Sequence, residues 1–180
     1  NYKYILSLVN LLGIFSLIGM KTAVAQAVAR GLEGSFYTGF KTKFKWALLG
    51  SLVAVCGAVY YWLHGNEILP IPLLISALFL PLMEASRIYA AFLGGKKLFD
   101  VQTKYGIYSQ IISTITIIAV LVTTRNLFWL IAAYFVSHTF SNIAFFLITK
   151  IKYKPNKQED KKTIGYAKHL SFIEVISQLS

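Results

Sequence analysis

The sequence predicts an all-α membrane protein, a polytopic bundle of transmembrane helices. Of its 180 residues, 56% are hydrophobic and only 14% are charged, and the mean hydropathy is +0.60, all outside the usual range of a soluble domain. The apolar residues also fall in long runs that are greasy on every side, not in the one-faced stripes of a helix packed under water. A backbone exposed to lipid must satisfy its own hydrogen bonds, and a helix of ~20 apolar residues does so across the hydrocarbon layer.

Five such runs are legible, at residues 4–26, 46–64, 68–93, 105–123 and 127–149, and a sixth starts near Tyr166. The first carries Ser7, Asn10 and Gln26 as polar positions, with Gly13 and Gly19 allowing close backbone approach. After it comes "ARGLEGSFYTGF", whose Gly31, Gly34 and Gly39 end one helix and supply flexible joints to a link over 31–45. The second run is apolar up to His64 and is expected to face lipid. Its Cys56, the single cysteine, fits a packed or lipid-facing position and excludes an intrachain disulfide. Three residues, Gly65-Asn66-Glu67, lead into the third run, and Thr124-Arg125-Asn126 join the fourth to the fifth. Links so short make their helices antiparallel neighbours.

Basic residues orient the bundle, because loops rich in Lys and Arg stay in the cytoplasm. Lys21, Arg30, Lys41, Lys43 and Lys45 follow the first run, Lys96, Lys97 and Lys104 the third, and a dense group from Lys150 to Lys168 the fifth. The opposite ends carry only Lys3 and Arg125. Residues 31–45, 94–104 and 150–162 are therefore expected inside the cell, and 65–67 and 124–126 outside. The net charge of +11 is explained by topology and by contact with anionic membrane lipids, so no nucleic-acid partner is expected.

The candidate site lies in "PLMEASRIYAAFL" of the third run. An ionisable group at bilayer depth costs at least ~2.5–3.5 kcal/mol on insertion scales, so Glu84 and Arg87 need a reason to be there. Three residues apart, they share one helix face and can neutralise each other. An Arg held by a Glu in a wet cavity is also a preformed anion site, and both readings stay open. Pro81, one turn earlier, frees a carbonyl and suggests a kink beside the pair. The fifth run adds "VSHTFSN", in which His138 and Asn142 define a polar face, for helix contacts or for substrate. The fourth adds Gln110 with Ser113 and Thr114. A bundle around a hydrated cavity fits these stripes.

No Walker-type glycine loop, zinc-ligand spacing or carboxylate pair is present in the sequence. No cofactor, metal centre or catalytic residue is expected, and the chain is not expected to be an enzyme. It opens on Asn1 and stops inside "HLSFIEVISQLS", and with no signal-peptide pattern it reads as an internal part of a longer protein.

The segments "GMKTAVAQAVARG", "GGKKLFDVQTKYGIYSQI" and "GYAKHLSFIEVISQ", in that order and spacing, resemble the polysaccharide-biosynthesis membrane proteins of the O-antigen flippase type. These share a superfamily with multidrug and toxin extrusion antiporters and the lipid II flippase. The resemblance implies two six-helix lobes around a central cavity. Residues 1–149 would be helices two to six of the N-terminal lobe, 150–165 the cytoplasmic link between lobes, and 166–180 the start of helix seven. It also implies a multi-pass protein of the bacterial inner membrane, and a substrate of undecaprenyl-pyrophosphate-linked oligosaccharide. The implied partners are membrane lipids and polysaccharide polymerases. On this template Arg87 would bind the pyrophosphate and Glu84 would orient it, with exchange of H⁺ or Na⁺ as a coupling route. Lys21 and Arg30 would funnel the headgroup in, and His138, Asn142, Asn10 and Gln110 would line the cavity. The alternatives are a cation-coupled drug antiporter of the same fold, a non-transporting membrane scaffold, and a membrane enzyme acting on lipid-linked sugars.

Overall fold

A computed structural model describes residues 16–66, 68–124, 126–160 and 162–179. In chain order the helices are α1 (Met20–Ala29), α2 (Ser35–Leu63), α3 (Pro70–Ser86), α4 (Ile88–Gly95), α5 (Phe99–Thr124), α6 (Leu127–Tyr153) and α7 (Thr163–Leu179). No strand occurs among the described residues. Four segments, Ser35–Leu63, Pro70–Gly95, Phe99–Thr124 and Phe128–Tyr153, are long and apolar enough to cross a membrane, so the chain is an all-α, multi-pass membrane protein.

The third of the expected runs is the centre of the bundle, since α3 packs on both α2 and α6. On the α2 side the contact is close, because Ala47, Ala54 and Ala58 let the helix approach Leu73, Ala77 and Leu80. Toward α6, Leu69 and Met83 meet Ile131 and Phe135. Where α1, α4 and the start of α2 converge, the core is aromatic, with Phe36 set edge-on to Phe92 and stacked on Phe146. By contrast α5 and the outer faces of α2 expose Leu52, Trp62, Leu63, Ile115 and Val122. In water that would be ruinous; against acyl chains it is neutral.

Local chemistry sets the helix ends. Gly65 takes φ +74°, and the Asn66 amide reaches back to the Tyr61 carbonyl at 3.0 Å, a left-handed termination that glycine permits at no steric cost. Asn66 Oδ1 then accepts from the amides of Ile68 and Leu69 at 3.0 and 3.1 Å, and Pro70 opens α3 where no amide is needed. Asn126 caps α6 in the same way, accepting from the Phe128 amide at 2.9 Å. These caps account for how two very short links turn the chain.

Several boundaries differ from those the sequence suggests: among the described residues the first run is α-helical only from Met20, and the fourth begins at Phe99, inside the expected loop over 94–104. The second apolar run belongs to a helix that begins at Ser35, not Trp46, so Gly39, Lys41, Lys43 and Lys45 are helical and not part of a flexible link. The third helix passes through Pro81 and is interrupted at Arg87 instead. Pro81 cannot donate to the Ala77 carbonyl one turn back, and Ser51 of α2 supplies the missing donor, its Oγ lying 2.8 Å from that oxygen. The basic segment after the fifth run becomes non-helical only beyond Tyr153.

That segment is fastened to the loop between α1 and α2. The Asn156 amide and the Glu33 amide each donate to the other residue's side chain, at 3.1 and 3.2 Å. Asn156 Nδ2 donates to the Gly31 carbonyl at 2.9 Å, and the Gly34 amide to the Gln158 carbonyl at 2.8 Å. A Cβ on Gly34 would stand 2.8 Å from that carbonyl oxygen, so glycine is required for the approach. Lys96, just past α4, pairs with Glu33.

Ser51→Ala should lower thermal stability in detergent by about 0.6 kcal/mol, the usual size of an interhelical hydrogen bond in a membrane protein. In a Pro81→Ala background, where residue 81 regains its amide proton, the same change should cost less. Equal losses in both backgrounds would separate the Ser51 bond from the proline.

Candidate functional site

Glu84 is the only acidic residue in the apolar part of α3, and donors from α2, from the turn before α1 and from the break after α3 reach its two oxygens. Lys43 Nζ of α2 donates to Oε2 at 3.1 Å and Ser16 Oγ to the same oxygen at 3.2 Å. Arg87 Nη1 donates to Oε1 at 3.0 Å. The two cations are not equivalent. The Lys43 side chain is 0% exposed, whereas that of Arg87 is 46% exposed, so Lys43 seals the inner side of the carboxylate and Arg87 holds its outer side. Arg87 stands at the break between α3 and α4, and one of its five N–H donors suffices for Glu84.

Charge is not balanced here. Lys43 and Arg87 face one carboxylate, and Lys21 of α1 interacts electrostatically with both Glu84 and Arg87. Even when Lys21 is assigned to Glu174 of α7, with which it also interacts, one positive charge remains in excess among the described residues. Residues 1–15 contain no Asp or Glu that could supply the balance. In a low-dielectric setting such a surplus attracts an anion strongly.

The α6 face toward this cluster is polar. His138, half-buried, interacts electrostatically with Arg87, and its ring centroid lies 4.6 Å from that of Tyr134. Tyr89 and Tyr134 stand within the same electrostatic reach of Arg87. Asn142, one turn beyond His138, is buried. Ser137 fastens this face to α5 through Ser113, Oγ to Oγ at 3.2 Å. Thr139 Oγ1 is buried and has no hydrogen-bond partner among the described residues.

Of the residues singled out in the sequence, Glu84, Arg87, Lys21 and His138 come together, with Asn142 on the same helix as His138. Arg30 does not join them: it is exposed and pairs with Asp160 at 2.6 Å. Gln110 is exposed on α5, where the buried polar groups are Ser109 and Ser113. Asn10 lies outside the described residues. The expectation that the second run faces lipid needs correction along one stripe, which also brings a second cation, Lys43, to Glu84. The buried residues Ser35, Gly39, Lys43, Ala47, Gly50, Ala54 and Ala58 recur every three or four positions, and Lys43 is in register with the small residues. That periodicity was the available signal: a lysine on a stripe of glycine and alanine points at the neighbouring helix, not at the loop.

The pairing fixes an order of stabilities. Glu84→Gln strands a fully buried Lys43 and should be the most damaging single change at the cluster, on the order of 3–5 kcal/mol. Lys43→Met leaves Glu84 held by Arg87 and should cost less, and Lys43→Met with Glu84→Gln should recover much of the Glu84→Gln loss. Unfolding midpoints of the purified variants check the order; a Glu84→Gln protein as stable as Lys43→Met would contradict it.

A family model described as polysaccharide biosynthesis protein matches residues 2–180. No curated protein and no solved structure matches the chain.

Proposed function

The chain belongs to the polysaccharide biosynthesis protein family, and we propose from that premise that it translocates an undecaprenyl-pyrophosphate-linked oligosaccharide across the bacterial cytoplasmic membrane. The observation that carries this reading is the surplus positive charge around Glu84. A pyrophosphate crossing an apolar layer needs fixed cations along its route, and a guanidinium remains charged there and binds two phosphate oxygens at once. Arg87 is the group that meets the phosphates, because it is the exposed member of the cluster and stands where the helix is broken. Lys43 keeps Glu84 neutralised when Arg87 turns to substrate, so the site can let go of its ligand without leaving a bare buried carboxylate. His138 and Tyr134 lie on the facing helix, suited to hydroxyl-rich sugar. In alternating access the lobe rocks about this point and presents the cation to one side and then the other. The chain acts as a transporter and not as an enzyme, and α7 begins the second lobe.

Arg87→Gln is the informative variant, since it leaves a balanced Lys43–Glu84 pair and removes the surplus. It should accumulate in the membrane like the parent yet fail to deliver lipid-linked oligosaccharide to the outer leaflet. Arg87→Lys should restore part of the export, because charge returns without the bidentate geometry. Normal export by Arg87→Gln at parental abundance would remove the substrate role.

The orientation is tested separately. Cys56 is exposed, so a Cys56→Ala background is needed before single cysteines are placed at Asn66 and Asn156. An impermeant thiol reagent added to intact cells should label position 66 and spare position 156. The reverse pattern would invert the topology.

A further inference from the structure

Where α1 ends and α7 begins, a second polar site lies apart from the Glu84 cluster. A cavity of about 600 Å³ is lined by Gln26 of α1, Arg30 just after it, Asp160 and Lys162 of the linker, and Thr163 and Tyr166 of α7, a size suited to a small phosphorylated group. Its cations are Arg30 and Lys162. The helix start adds partial positive charge, and Gln26 Nε2, donating to Tyr166 Oη at 3.3 Å, ties the two helices together beside it. Thr163 is 2% exposed, and its Oγ1 has no hydrogen-bond partner among the described residues.

An anion already sits among these donors, and it is the protein's own. Asp160 Oδ2 lies 2.6 Å from Arg30 Nη2, and Oδ1 accepts from the Lys162 amide at 2.9 Å. A guanidinium and a main-chain amide beside a helix start are the donors that phosphate oxygens use. Asp160 also belongs to the fastened linker, its amide donating to Ser35 Oγ at 3.4 Å.

We propose that this cavity is a binding site for a phosphate-ester headgroup, with Asp160 as a resident carboxylate that the phosphate displaces from Arg30. The phosphate carries more charge than the carboxylate and offers Arg30 two acceptor oxygens, so it wins the guanidinium, and the freed Asp160 loosens the linker from α1. Loading of a headgroup at this end is thereby coupled to release of the segment that joins the two lobes. The proposal rests on the transport reading only for the source of the phosphate.

Binding is measured with the full protein in phosphatidylcholine nanodiscs, in an Arg87→Gln background that silences the Glu84 cluster as an anion site. The probes are geranylgeranyl pyrophosphate, inorganic pyrophosphate and geranylgeraniol. Geranylgeranyl pyrophosphate should bind and geranylgeraniol should not. Arg30→Gln should weaken binding on the order of tenfold, and Lys104→Gln, an exposed site elsewhere, should leave it unchanged. Asp160→Asn should tighten binding several-fold, since the amide still accepts from the Lys162 N–H but no longer holds Arg30; a purely structural Asp160 would give weaker or unchanged binding. Inorganic pyrophosphate binding as tightly as the lipid would assign the site to a free anion, and a preference for the lipid to a membrane-borne headgroup. Unchanged affinity in Arg30→Gln, or no gain in Asp160→Asn, overturns the proposal. Because export is not read here, failure would leave the role of Arg87 standing, and failure of the Arg87 export test would leave this site standing.

Discussion

A carboxylate inside a membrane bundle must be met by positive charge, and much of this structure follows from how Glu84 is met. Desolvating an ion costs several kcal/mol even after relaxation, so Glu84 can sit on α3 only if donors reach both of its oxygens. Lys43 comes from α2 and Arg87 from the break after α3. For the lysine to arrive, α2 must approach closely, which its stripe of glycine and alanine allows. For α3 to stay helical past Pro81, the Ala77 carbonyl must find another donor, which Ser51 of α2 provides. The α2–α3 contact is thus one solution to two problems of unpaired polarity.

Packing alone does not call for such a cluster. A balanced pair would have served packing alone, and an apolar contact would have served it better. The additional cation, half exposed and placed where the helix is interrupted, is the feature on which the proposed pyrophosphate site rests. At the other end of α1 the same chemistry recurs in a milder form, with Arg30 held by Asp160 in the open. The clasp formed by Glu33, Asn156 and Gln158 links that end to the connecting segment, and Asp160, which holds Arg30, is fastened to α2 through its amide and Ser35 Oγ.

The fold was legible because lipid imposes a coarse rule: runs of about twenty apolar residues become helices, and each of the four long segments follows it. The caps at Asn66 and Asn126 were less visible, since the same residues also suit plain turns. Glu84 and Arg87 announced themselves by charge in an apolar run. Lys43 did not, because a lysine among Lys41 and Lys45 near a glycine-rich stretch reads as a basic loop. Only the spacing of Gly39, Ala47 and Gly50 around it marks the buried face. Gln110 misled for the opposite reason: it falls beside Ser109 and Ser113, and a shift of one residue along a helix turns a side chain about 100°, enough to move it from the buried face to the exposed one.

The surplus charge beside Arg87 can be read directly from the reactivity of a cysteine placed at His138 in a Cys56→Ala background. Two thiol reagents of matched size, one anionic and one cationic, should differ in rate about tenfold in favour of the anion, and Arg87→Gln should abolish the preference. Equal rates, or faster modification by the cation, would contradict the account.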